Sequence, residues 1–321
     1  VIRRPSRNGS ALIAVLLLLI LLTVLAAQIS MRAAVDTRAT ENRLTGLQAQ
    51  WGLQGALAQA AEMLKADTAV DQTALSEQGL SLADWPGEAW AQPVRDLPLG
   101  DGTCSFVITD EGARWDLGQL VTGPSNLLST SGQAAFGRLA EACMPGVNAS
   151  DFQTALWDWI DGDSDGQYET GVAPLPPNRP LLTAKEMLLV PMATTEILLG
   201  PDGRSGILPR VTTLGTRLVN ANTAPREVLY AVSDRFDEAV YQRLLAARPL
   251  RNLEDLKPVL QVALSDPLPT EILEGLSIRS DTFRVSMSYA KGGDVRRATA
   301  VLLRASTGVS RLRWDPDPVS P

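Results

Sequence analysis

Histidine is absent from the 321 residues. No Ser-His-Asp or Cys-His nucleophile can therefore be assembled, and there is no imidazole metal ligand or imidazole base. Catalysis would have to rest on carboxylates or lysine. A carboxylate-pair hydrolase is the one enzymatic option weighed, but no acidic pair is singled out by its surroundings, and the expectation is a protein that is not an enzyme. Cysteine is nearly absent too. Cys104 and Cys143 fit neither a CxxC nor a zinc pattern. They read either as a disulfide in an oxidising compartment or as two small buried hydrophobes. Aromatic residues make up 5% of the chain, and the tryptophans read as core rather than as a sugar platform. The net charge is −7 with scattered basic residues, which argues against a broad nucleic-acid footprint.

Charge is missing altogether from Asn8 to Met31. As a helix this run would rise ~36 Å, enough for a ~30 Å hydrocarbon core. Arg3, Arg4 and Arg7 precede it, so the positive-inside bias keeps that end cytoplasmic and sends the remainder across. A cleavable secretory signal would look similar, and Val24-Leu25-Ala26-Ala27 offers small residues for cleavage. The continuation favours a retained membrane helix. From Met31 to Asp67 there is no proline, and Leu47, Trp51, Leu57, Ala61 and Leu64 recur at spacings close to three or four.

Asp67 to Gly102, with Pro86, Pro93 and Pro98, reads as polar loop. Cys104–Thr109 and Ala113–Leu117 read as strands around a turn at Asp110-Glu111-Gly112. Ser131–Met144 reads as a helix stopped by Pro145-Gly146. Asn148 or Ser150 caps the next, which carries Phe152, Leu156, Trp159 and Ile160 on one face. After the proline-rich Pro174–Pro180, Thr183 and Glu186 stand in capping-box relation, with Leu188 and Leu189 as the expected buried side. Asn220-Ala221-Asn222-Thr223-Ala224-Pro225 opens a helix over Arg226–Val232. A second spans Phe236–Ala247, and Asn252 caps a third around Leu253, Leu256 and Val259. The alternation Phe283, Val285, Met287, Tyr289, a turn at Lys291-Gly292-Gly293-Asp294 and a return over Ala298–Arg304 predict a hairpin.

The sharpest local signal is acidic. Asp161, Asp163 and Asp165 occupy positions 1, 3 and 5 of an EF-hand-like loop, and Gly166 takes the turn position. Gln167 could give its carbonyl, and Glu169 a carboxylate or a water-mediated contact. Hard oxygens wrapped around one point suit calcium, and the acids would repel one another without a cation. Position 12, where a bidentate glutamate belongs, is Val172, so a true EF-hand is not expected. The plain alternative is a solvated Asx-rich turn.

A short basic leader, Gly9, Ser10 and an apolar helix running into an amphipathic one resemble the type IV pilins and the type II secretion pseudopilins. That resemblance implies a prepilin peptidase cut between Gly9 and Ser10, on the cytoplasmic side, and methylation of the new end. The fifth mature residue, glutamate in most of that class, is Ala14 here, which resembles the K-type minor pseudopilins. Asp158-Trp159-Ile160-Asp161-Gly162-Asp163, Asn178-Arg179-Pro180-Leu181 and Val219-Asn220-Ala221-Asn222-Thr223-Ala224 are similar to segments of the same family, in the same order. The resemblance implies calcium at the acids, I- and J-type minor pseudopilins and the major pseudopilin as partners, and a place at the pseudopilus tip. There the subunit would initiate assembly and support export of folded proteins across the outer membrane. It also implies a single pass through the bacterial inner membrane, with the globular part in the periplasm.

The expected fold is α+β: a long helix on a small antiparallel sheet, with a large mainly helical insertion containing a helix-hairpin-helix-like part. The expected divisions are a leader over residues 1–9, a transmembrane helix over 10–31 and the pilin-like helix and first strands over 32–119. The insertion follows over 120–278, and the closing strands over 279–321. The alternative function is a membrane-anchored, helix-hairpin-helix DNA-uptake protein. Such modules approach phosphate through a Gly-x-Gly hairpin, whereas Ser233-Asp234-Arg235-Phe236-Asp237 has no glycine and two acids, so no nucleic-acid partner is expected.

Overall fold

Helix α1, Asn8–Gln78, dominates the computed structural model, which describes residues 8–78, 82–171, 174–264 and 270–316. Its 71 residues rise about 107 Å at about 1.5 Å each. It is long and apolar enough to cross a membrane, and its aliphatic residues from Leu12 to Leu25 lie exposed. Arg3, Arg4 and Arg7, on which the predicted orientation rests, lie outside the described residues. The helix also runs past Asp67, through residues expected to be loop.

The inward face of α1 agrees with the predicted one at Leu57 and Leu64 and departs from it at Leu47 and Trp51. Ala49, Leu53, Ala56, Leu57, Ala60 and Leu64 are buried, while Leu47 and Trp51 are 52% and 72% exposed. The small residues explain the shift: three alanines and a glycine let the helix backbone approach the sheet, which a tryptophan at the same contact would prevent. Cys104 Sγ lies close enough to donate to the Gly52 carbonyl, at 3.2 Å.

Five antiparallel strands lie in the order β1 (Val94–Leu99), β2 (Gly102–Asp110), β3 (Thr282–Lys291), β4 (Asp294–Ala305) and β5 (Gly308–Pro316). The predicted hairpin is the β3–β4 pair, with Asp294 opposite Lys291. Strand β2 joins β3 from Thr103↔Ala290 to Asp110↔Phe283, so the chain leaves the sheet and returns beside itself. Alternate residues Cys104, Phe106 and Ile108 of β2 and Phe283, Val285, Met287 and Tyr289 of β3 face α1 and form one core with it. The expected second early strand is elsewhere: Trp115–Asp116 pairs in parallel with Val211–Thr212. A glycine-rich turn sends the chain back inside the sheet, whereas Glu111, buried against Arg284, Arg114 and Thr212, carries it out.

Between β2 and β3 lies the helical body, with its own core. Helix α2 (Thr130–Cys143) is capped by Ser129, whose hydroxyl accepts from Gly132 N–H. Helix α3 (Ser150–Ile160) buries Phe152, Leu156, Trp159 and Ile160 as predicted. The remaining helices are short: α4 (Thr195–Leu199), α5 (Arg226–Val232), α6 (Glu238–Ala247), α7 (Leu256–Leu264) and α8 (Thr270–Glu274). Two expectations fail here, and one open alternative is decided. Thr183 makes no side-chain cap: Glu186 N–H donates to the Thr183 carbonyl at 3.0 Å, and the Glu186 carboxylate pairs with Arg179 at 3.2 Å. Met187, not Leu188 or Leu189, is buried, because Ala184–Leu189 is a tight 3₁₀ turn with a different periodicity. The cysteines are free, Cys104 in the helix–sheet core and Cys143 in the insertion core, so a bridge between them is excluded.

Candidate metal centre

Helix α3 builds the centre by stopping where it does. Asp161 leaves the helix in extended geometry while its N–H still donates to the Trp157 carbonyl. Asp158, one turn back and buried, accepts from Tyr168 N–H at 2.7 Å, which folds the loop onto the helix end. Gly166 permits that approach, since a side chain there would overlap the Asp158 carboxylate.

The folded loop brings Asp161, Asp163 and Glu169 together, with one oxygen from each within 4.8 Å of the others. Asp161 and Glu169 are nearly buried, whereas Asp163 is exposed. Asp165 and Gln167 are exposed as well, and Asp165 N–H donates to Asp163 Oδ1 at 3.3 Å. Val172 lies outside the described residues. Asn178, which sequence reasoning placed only in a family-like segment, belongs to the cluster. Its amide nitrogen donates to the Asp163 carbonyl, to Ser164 Oγ at 3.2 Å and to Glu169 Oε2 at 3.4 Å. The left-handed backbone at Asn178, φ 48°, aims it there.

Three buried oxygens in this cluster have no hydrogen-bond donor among the described residues: Asp161 Oδ1, Glu169 Oε1 and Asn178 Oδ1. Two carboxylate oxygens and an amide oxygen without donors, beside the gathered acids, make a hard donor set of the kind calcium takes. Burial, then Asp163, Glu169, Asp158 and Asp165, raise the Asp161 carboxyl to about 6. That is the electrostatic signature of acids gathered without a counter-charge. The residues present fit a calcium ion.

The Asn-x-Asn-Thr segment proves to be a fastener. Asn220 and Asn222 are completely buried. The Asn220 amide donates to the Asp84 carbonyl, Asp110 Oδ2 and Ser280 Oγ. Asn222 pairs with both backbone groups of Leu250, and Thr223 donates to Asp110 Oδ2 at 2.5 Å. These side chains tie the insertion to β2 and to the strand entry at Ser280. At the following hairpin, Asp237 caps α6 by accepting from Val240 N–H at 2.9 Å.

A long apolar helix laid through its second half on an antiparallel sheet, with a helical body inserted between neighbouring strands, defines a pilin-like protein with an enlarged head. Residues 219–279 match the family model described as "Type II secretion system (T2SS), protein K". Protein K of the type II secretion system of Aeromonas hydrophila is 26% identical over 335 residues, covering 93% of each chain. Its Klebsiella pneumoniae counterpart is 28% identical over 309 residues, covering 89% of each. A chain in the crystal structure of the GspK–GspI–GspJ complex from enterotoxigenic Escherichia coli superposes with a TM-score of 0.57. At 19% identity it covers 83% of this chain and 98% of that one, and establishes the fold. The resemblance to K-type minor pseudopilins holds along the chain, which is similar to type II secretion protein K over most of its length.

Proposed function

We propose that this chain is a minor pseudopilin held in the bacterial inner membrane by the apolar part of α1, with its head in the periplasm at the tip of a type II secretion pseudopilus. There it joins I- and J-type minor pseudopilins, starts assembly of the major pseudopilin and so supports export of folded proteins across the outer membrane. The observation that carries this reading is the insertion. It turns one side of a slim helix-and-sheet subunit into a body with its own core, too wide for another subunit to stack above it. Ala14 agrees with a first position: a first subunit has no preceding ammonium group that a carboxylate must meet. Prepilin peptidase would cut between Gly9 and Ser10, and the new end would be methylated.

The decisive experiment is the mass of the mature chain made with and without a prepilin peptidase. A peptidase-dependent end at a methylated Ser10 supports the proposal. An end near Ala27, or an intact leader in the presence of the enzyme, overturns it.

The same reading places calcium at Asp161, Asp163, Glu169 and Asn178, with Asp165 and Gln167 as the remaining loop candidates. Calcium bound only by the folded state would raise the melting temperature, stabilising the fold by about 2.7 kcal/mol at a hundred times its dissociation constant. Asp163→Ala should lose that gain. Equal melts in calcium and in EDTA would reject the ion. The DNA-uptake alternative has little left to stand on, because Asn220 and Asn222 use their amides internally. A gel shift at low salt would revive it.

A further inference from the structure

The acids Asp67, Asp84 and Glu88 play no part in the function above. Asp67 comes from the outer part of α1, and Asp84 and Glu88 from the segment that leads into β1. One oxygen from each lies within 4.8 Å of the others. Among the described residues, each carboxylate is held through one oxygen. Arg304, on β4, donates through Nη1 to Asp67 Oδ2 at 2.9 Å and through Nη2 to Asp84 Oδ2 at 2.5 Å. Ser280 N–H adds a second bond to Asp84 Oδ2, at 2.7 Å. Glu88 Oε2 accepts from Trp85 N–H at 3.0 Å and from the Trp90 indole at 2.7 Å. The second oxygen of Asp84 is different: the residue is completely buried, yet Oδ1 has no donor among the described residues. A buried carboxylate oxygen without a partner keeps its full desolvation penalty.

We infer that Asp67, Asp84 and Glu88 form a second divalent-cation site, of the hard-oxygen class that takes calcium, where the long helix, the sheet and the insertion meet. Charge favours a cation there. Three carboxylates face one guanidinium, leaving two negative charges that one divalent ion cancels. Asp71 adds a further negative charge nearby and Arg279 a positive one, itself paired with Asp281 at 3.5 Å. Arg304 orients two of the ligands by their Oδ2 atoms and leaves Asp84 Oδ1 open. Without an ion the acids crowd one another: burial, then Glu88, Asp84 and Asp71, push the Asp67 carboxyl up to about 7. The ion would fasten α1 to the segment preceding the sheet, at a place separate from the Asp161 loop.

The test uses the full chain in detergent micelles. Calcium is titrated calorimetrically into wild type, Glu88→Gln, Asp161→Asn/Asp163→Asn and the combined variant. The amide of Glu88→Gln keeps an acceptor for Trp85 and Trp90. Wild type should bind two ions, Glu88→Gln and the loop variant one each, and the combined variant none. Terbium gives an independent readout, because Trp90 is bonded to Glu88. Tryptophan-sensitised emission should persist in the loop variant and fall about tenfold on adding Glu88→Gln, following the lost ligand charge. Asp67→Asn should repeat the loss if Glu88→Gln alters the melt in EDTA. A wild-type stoichiometry unchanged by Glu88→Gln and by Asp67→Asn overturns the site. So does a wild type whose only ion vanishes in the loop variant. One ion lost only in Glu88→Gln would support this site and reject the loop.

Discussion

The two cores of this molecule are made differently. Where α1 meets the sheet, the helix sets small residues, Ala49, Ala56 and Ala60, among Leu53, Leu57 and Leu64, and the strands contribute alternate side chains of β2 and β3. The strands pair in antiparallel ladders, continuous between β2 and β3 and between β3 and β4, with one register shift each in the β1–β2 and β4–β5 pairs. The insertion has mostly short helices and two-residue pairings, and it packs aromatic residues against one another, with Trp115, Phe136 and Trp157 in tilted or edge contacts. Its loops are fixed by buried polar side chains, Asn220 and Asn222 foremost. Regular backbone pairing needs few specific polar anchors; irregular backbone needs one wherever a buried group would otherwise lack a partner. The polar side chains therefore concentrate in the insertion and along the seam joining it to the sheet.

Arg304 is the strongest test of that contrast. It is 2% exposed, lies 4.7 Å from the Phe283 ring centroid and binds Asp67, Asp84 and the Ser280 carbonyl. Arg304→Ala would leave Asp84 buried without its counter-charge, which costs on the order of 3–5 kcal/mol. The expected outcome in urea is a large loss of stability, because Asp84, whose carbonyl accepts from Asn220 of the insertion, loses the group that holds it to α1 and β4. A loss below about 1 kcal/mol would show that the seam holds without it.

A pair of glycines probes the helix–sheet side alone. A Cβ on Gly52 would overlap the Tyr289 ring, whereas one on Gly55 would meet Leu99 methyls at 3.4 and 3.5 Å, ordinary contact. Gly52→Ala should therefore destabilise by about 1–3 kcal/mol through overpacking. Gly55→Ala should stabilise by about 0.5–1 kcal/mol through helix propensity. Equal effects at both positions would mean that α1 is free to lift from the sheet.

The same contrast decides what could be read from the sequence. The hairpin Phe283–Arg304 was legible because alternation and a Gly-Gly turn are local signals. Strand β1 was not, since Pro93 and Pro98 mark loops in general, yet an edge strand tolerates proline on its unpaired side. Strand β5 falls within the closing strands expected over 279–321, but no local pattern set its bounds. The face of α1 was legible at Leu57 and Leu64 but misplaced at Leu47 and Trp51, because Ala49, Gly52, Ala56 and Ala60, which carry little hydrophobic signal, make the close contacts. At the metal centre the acids were legible from their spacing. Asn178 was not, because a proline-rich connection must fold back to bring it there, and no local pattern encodes that return. The Asn-x-Asn-Thr segment was visible as a motif, but its use as a fastener depends on Asp110 and Ser280, both far away in the chain.

The smallest effect expected comes from protons at the seam. Burial and neighbouring acids raise Asp67 from 3.8 to about 7, and Asp71 to about 6 mainly through burial. A carboxyl whose folded value lies above its unfolded value binds protons preferentially in the native state. Its contribution is full below about 3.8 and is lost as the pH climbs toward about 7. In EDTA the melting temperature should thus be a few degrees higher at mildly acidic than at neutral pH. Buried Asp110, raised to about 6 chiefly by burial, adds to the same slope from within the fastener. Asp67→Asn keeps an oxygen for Arg304 but cannot ionise, so it should flatten the upper part of the pH dependence while Asp71 and Asp110 retain the lower part. A divalent ion on the three carboxylates favours their charged forms, and calcium should flatten the wild-type profile in the same range. A slope unaltered by Asp67→Asn would place the titrating group away from the seam, and the helix–sheet half would then owe none of its pH dependence to the joint with the insertion.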